Sequence, residues 1–78
     1  MNVKWKRSGK RMYRFDGDEV MSIIFGAADP NTTMWAWGVW SSHHIKEGIT
    51  HSLSRAKKEA VEQIDAMTLA EKSAKGAE

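Results

Sequence analysis

Six cations fall within the first fourteen residues: Lys4, Lys6, Arg7, Lys10, Arg11 and Arg14, with no acid among them. They interleave with Trp5 and Tyr13. Cations neutralise phosphates and release counterions, and aromatic rings stack on unpaired bases. A two-stranded ribbon carrying such groups can also enter a major groove. The six are therefore a candidate nucleic-acid-binding set. The plainer reading makes Trp5, Tyr13 and Phe15 core residues and the cations the solvated side and turn of a hairpin. The rest of the chain adds no field of either sign. Asp16, Asp18, Glu19 and Asp29 precede Lys46, and from Lys46 onward cations and acids cancel, leaving a net charge of +2. The one-signed region is confined to the N-terminal hairpin.

Other reactive groups are sparse. His43, His44 and His51 are the only histidines, and their spacing matches no metal-ligand pattern. Neighbouring histidines on a strand or loop point apart, so loop histidines without a special role are expected. There is no cysteine and no nucleophile elbow, and the six glycines form no phosphate loop. Asp16 and Asp18 are the nearest thing to paired carboxylates, and the turn at Asp16-Gly17-Asp18 accounts for them. A chain of 78 residues has little room for a water-excluding pocket. No catalytic residue, metal or cofactor is expected, and the chain reads as a non-enzyme.

The elements that position these groups follow from periodicity. Residues 34–40 read Met-Trp-Ala-Trp-Gly-Val-Trp. Strand alternation puts Trp35, Trp37 and Val39 on one face and Met34, Ala36, Gly38 and Trp40 on the other. Val3–Lys6 and Arg11–Phe15 alternate around Ser8-Gly9-Lys10, which predicts a hairpin with Gly9 free to take a positive φ. Glu19–Gly26 is a further strand, with Val20, Ser22 and Ile24 opposite Met21, Ile23 and Phe25. Residues 26–33 form a loop punctuated by Pro30, and Ser41–Glu47 is polar and read as a loop. Gly48–His51 is a short edge strand or the approach to a helix. Ser52 is placed to cap that helix. Leu53, Ala56, Ala60, Ile64 and Met67 then recur at helical spacing, to about residue 70.

The expected fold is α+β: an antiparallel three- to four-stranded meander followed by one C-terminal helix on one sheet face. One domain over residues 1–72 is expected, with residues 73–78 as a frayed tail. The helix takes the face of Trp35, Trp37 and Val39, with Val20 and Ile24 beside them. Met21, Ile23, Phe25 and Trp40 are then left on the second face. One helix cannot cover both faces, so these four residues are the candidate protein interface, met by a second copy as a homodimer or by another protein.

The absence of cysteine favours a reducing compartment, and no segment approaches the roughly 20 apolar residues of a membrane span. The charged N-terminus lacks the apolar stretch of a signal peptide. A cytoplasmic protein with no membrane partner is expected.

Two resemblances bear on this reading. The strand-then-helix layout over residues 11–70 resembles the small sheet-plus-helix DNA-binding domains of tyrosine recombinases, which read DNA with the sheet. A face of Met21, Ile23, Phe25 and Trp40 suits DNA poorly. The chain length, the Trp-x-Trp-x-Val run, Gly48 and the Ser-Leu-x-x-Ala helix start resemble small phage and prophage proteins, a class that includes inhibitors of host defence systems. The reading is a small phage-type binding protein that acts through its apolar sheet face. The alternative is a nucleic-acid-binding domain that uses the basic hairpin.

Overall fold

The computed structural model describes residues 3–27 and 31–76. Asp29 and Pro30 of the expected loop, and the last two residues of the expected tail, lie outside that range. Five strands precede one helix: β1 Lys6–Gly9, β2 Met12–Asp16, β3 Met21–Gly26, β4 Trp35–Trp40, β5 Ile45–Thr50 and α1 Leu53–Gly76. The strands form one antiparallel sheet in chain order, β1-β2-β3-β4-β5. Every strand follows its neighbour by a hairpin, so no crossover is needed.

The sheet is one strand wider than the three or four expected. β5 covers residues read from sequence as a polar loop (Ser41–Glu47) and as either a short edge strand or a helix approach (Gly48–His51). Its one-sided pattern explains the difference. Ile45, Glu47 and Ile49 point away from the helix and are exposed, while Lys46, Gly48 and Thr50 point towards it. Gly48 pairs with Trp37, and the Trp37 indole lies over it. A Cβ at Gly48 would sit 2.6 Å from ring carbons of Trp37. The strand therefore lacks an apolar residue just where its partner supplies one.

The first hairpin also differs in detail. The chain reverses at Lys10 and Arg11, and the β1–β2 register shifts between Arg7 and Gly9. No described glycine has a positive φ. The extra residue in β1 makes the irregularity that a positive-φ glycine was expected to make. At the β2–β3 turn, the Gly17 amide donates to the Val20 carbonyl at 3.0 Å. The backbone passes so close there that a Cβ on Gly17 would lie 2.6 Å from that oxygen.

The helix starts where the cap predicts. Ser52 Oγ accepts from the Arg55 amide at 3.1 Å, and the Ala56 amide donates to the Ser52 carbonyl at 3.0 Å. It continues past the expected end near residue 70, and takes in residues 73–76 of the expected tail. The apolar stripe ends at Met67, but Ala70, Glu71 and Lys72 are strong helix formers and extend the backbone. The stripe packs on the face of Trp37 and Val39, as alternation requires. Val20, Ile24, Trp37 and Val39 from the sheet meet Ala56, Ala60, Ile64 and Met67 from the helix. Ala56 and Ala60 are fully buried, so the helix sits close to β4. Ser22 shares this face, and its hydroxyl donates to the Gly38 carbonyl at 2.7 Å. That bond satisfies the one polar side chain among the largest fully buried residues. Trp5 against Phe15 and Tyr13 against Trp35 close the flank, each pair 6.3 Å between ring centroids.

Candidate interface on the open sheet face

The side chains facing away from the helix form a grid fixed by register. One row across β2–β5 is Met12, Phe25, Ala36 and Ile49. The middle row is Arg14, Ile23, Gly38 and Glu47. The third is Asp16, Met21, Trp40 and Ile45. Two rows, apolar except for Asp16 at the β2 edge of the third, thus flank a middle row with a cation at one edge and an acid at the other. The expected set of Met21, Ile23, Phe25 and Trp40 does come together on this one face.

Helix α1 covers none of it. Phe25 is 45% exposed, Ile45 71% and Ile49 65%. Met12, Met21 and Met34 are exposed as well, with Met34 just before β4. The Trp40 ring leans towards Gly38, and a Cβ there would meet it at 4.0 Å. A shallow trough of about 760 Å³ runs between the large side chains, over Ala36 and Gly38. Large residues on β3 therefore stand beside a recess on β4.

Met12, Ile45 and Ile49 belong to this face and were missed as site residues. The signal existed in Ile45-Lys-Glu-Gly-Ile49, where the isoleucines are four apart and hence on one face of a strand. The polar residues between them hid it.

The six cations do not share a face. Lys6 pairs with Arg14 across β1–β2, so both lie on the open side, while Arg7 pairs with Tyr13 on the helix side. Arg7 donates to the carbonyls of Gly9 and Lys10 at 3.2 and 3.1 Å, closing its own turn. Arg11 lies over the Trp35 ring, 5.1 Å from its centroid, and fills the space above Gly26. Arg14 pairs with Asp16 at 2.8 Å. Lys4, Lys6 and Lys10 are exposed. The three cations beyond these lysines, Arg7, Arg11 and Arg14, already have structural partners. Trp5, Tyr13 and Phe15 pack against the core, and Lys57 Nζ sits 4.6 Å from the Tyr13 centroid.

A second polar cluster lies at the β4–β5 loop. Glu71 of the helix is buried, and its Oε1 accepts from the Ser41 hydroxyl at 2.9 Å. His43 Nδ1 lies 3.1 and 3.2 Å from the two carboxylate oxygens, so it carries the proton there. His44 Nδ1 is 3.8 Å away. The Ser41 hydrogen bond, then that of His43, hold the Glu71 carboxyl below its ordinary value. Burial opposes this and the nearby histidines assist it. The Ser41 oxygen also accepts from the amides of His43 and His44 at 3.4 and 3.2 Å. The serine donates to a carboxylate rather than to a histidine, so no histidine activates it as a nucleophile. The cluster ties the hairpin loop to the helix. Composition carried no sign of it, because Ser41 and Glu71 are thirty residues apart.

Among the described residues, no group of three His, Cys, Asp or Glu is arranged to hold a metal. No described helix is long and apolar enough to cross a membrane. Comparison with protein-family models, with curated proteins and with solved structures finds no match.

Proposed function

We propose that this chain is a small non-enzymatic protein-binding module whose working surface is the open sheet face. The supporting observation is the pair of outward-facing apolar rows on β3–β5, one of them continued by Met12 and the other by Asp16 on β2, held on a sheet whose other face is closed by the helix. A solvated antiparallel sheet normally alternates apolar-in with polar-out. Here Met, Ile, Phe and Trp side chains stand on the outward side, and contiguous exposed apolar surface of this kind marks interaction sites. Trp40 and Phe25 are the anchors, since aromatic residues concentrate binding energy.

A second copy of the chain is the simplest partner. On the phage-type resemblance, a host protein, defence components included, is the other. Inhibition would follow from covering that protein's own working surface.

The nucleic-acid reading rests on Lys4, Lys6 and Lys10, which are exposed on or beside the hairpin. Both readings face one experiment. Immobilised parent chain, Phe25→Asp and a Lys4/Lys6/Lys10→Gln variant are offered the free chain and host lysate, with and without nuclease. Binding that survives nuclease and high salt, persists in the lysine variant and is lost in Phe25→Asp supports the sheet face. Binding that disappears with nuclease, falls steeply with salt and is lost in the lysine variant overturns it in favour of the hairpin.

A further inference from the structure

We propose that the open face is covered by a second copy of this chain, related by a two-fold axis running along the strands between β3 and β4. The inference rests on the reading of that face as a protein-binding surface, and it adds the occupant and the register. Two sheets that meet face to face by a two-fold leave two simple choices of axis in the interface plane. An axis along the strands keeps each row on itself and exchanges strands, so β2 lies over β5 and β3 over β4. An axis across the strands keeps each strand on itself.

The middle row decides between them. With the axis along the strands, Arg14 faces the partner's Glu47, and Glu47 faces the partner's Arg14, so one charge pair forms twice. Arg14 keeps its own Asp16 as a neighbour on the same strand. With the axis across the strands, Arg14 would face its own copy and so would Glu47, and like charges opposed across an interface are costly.

Side-chain size selects the same register. β3 over β4 puts Phe25 over the partner's Ala36 and Ile23 over the partner's Gly38, each twice. In these two rows large residues enter the recess that the small ones leave, which is how two sheet faces interdigitate, while in the third row Met21 lies over the partner's Trp40 and Asp16 stays at the β2 edge beside Arg14. An axis on β3 itself would oppose Phe25 with Phe25 and leave the recess empty.

Four strands about 4.8 Å apart and three rows about 6.8 Å apart give a patch of roughly 400 Å² per copy. That is small for a specific interface, so a weak dimer in the micromolar range is expected rather than a tight one. Sheet packing at about 30° between strand directions requires the axis to lie about 15° off the strands.

Charge reversal tests the register. Arg14→Glu places two acids opposite each other in its own dimer, and Glu47→Arg places two cations. Mixing the two variants restores both pairs in a heterodimer. Sedimentation velocity should show the parent dimerising with rising micromolar concentration. Each variant alone should be at least tenfold weaker, and the equal mixture should return towards the parent. Both substitutions are at exposed positions, and circular dichroism reports folding independently. Ala36→Phe provides a second variant that keeps both charges; it fills the recess and should also weaken the dimer at least tenfold. A monomeric parent over the whole range, single variants that dimerise like the parent, a mixture that stays monomeric while both variants are folded, or an unchanged Ala36→Phe dimer each overturn the proposal. A monomeric parent removes the second copy alone. The protein-binding reading falls only if Phe25→Asp also leaves capture of every other protein unchanged.

Discussion

Trp37 and Gly48 act as one unit. The indole is buried across the glycine, and its Nε1 has no hydrogen-bond partner among the described residues. The ring is held there by packing, so the space above Gly48 sets its place. Gly48→Ala should destabilise the fold by about 1–3 kcal/mol, because the new methyl overlaps the ring. A thermal melt reads this directly, and an unchanged midpoint would mean the ring moves aside at no cost. Glu71 gives a second prediction at this scale. Its carboxyl is held low by Ser41 and His43. The resulting stability is fully present above the ordinary value of 4.5 and is lost as pH falls through the lowered folded value. Glu71→Gln should lower stability at neutral pH and flatten the acid part of the stability–pH curve. Equal acid slopes in the two proteins would show that Glu71 does not carry this dependence. Neither site was legible in the sequence. Arg11 was read as a candidate nucleic-acid contact although it stacks on Trp35, and Glu71, just past the expected helix end, was given no role. Both roles depend on contacts far apart in the chain, which local pattern cannot report.

The elements were more legible wherever apolar spacing spoke. The alternation of Trp35, Trp37 and Val39 predicted both the strand and its buried face, and the stripe from Leu53 to Met67 predicted the helix and its cap at Ser52. Ile64 is fully buried between sheet and helix. Ile64→Ala should cost about 2–5 kcal/mol, seen as a fall in the denaturation midpoint. A variant that melts like the parent would contradict the packing. Legibility failed where apolar residues were widely spaced. β5 has two exposed isoleucines and a glycine beneath Trp37, so its pattern looks polar. The last turns of α1 are held by intrinsic propensity and by Glu71, and an apolar stripe does not register either. The same gap hid the outer part of the candidate site: Phe25 and Trp40 were visible from alternation, whereas Ile45 and Ile49 required knowing that β5 pairs with β4.

At the scale of the whole molecule, one sheet with one helix leaves one face without cover. The buried face contributes Val20, Ile24, Trp37 and Val39 to the core, while the other presents Met12, Phe25, Ile45 and Ile49 to solvent. Phe25→Asp leaves the buried face untouched and puts a charge in an apolar row of the open one. It should leave the monomer folded and abolish association, because a buried unpaired carboxylate is costly at an interface. Size-exclusion profiles that coincide for parent and variant at high micromolar concentration would contradict this. A concentration series of amide spectra of the parent, from low to high micromolar, reads association through the sheet face residue by residue. Amides of Ile23, Phe25, Ala36, Gly38 and Ile49 should shift with concentration, while those of Lys58, Glu62 and Asp65 on the outer helix should not. Spectra that stay fixed on the sheet, or that shift on the helix instead, would contradict association through that face.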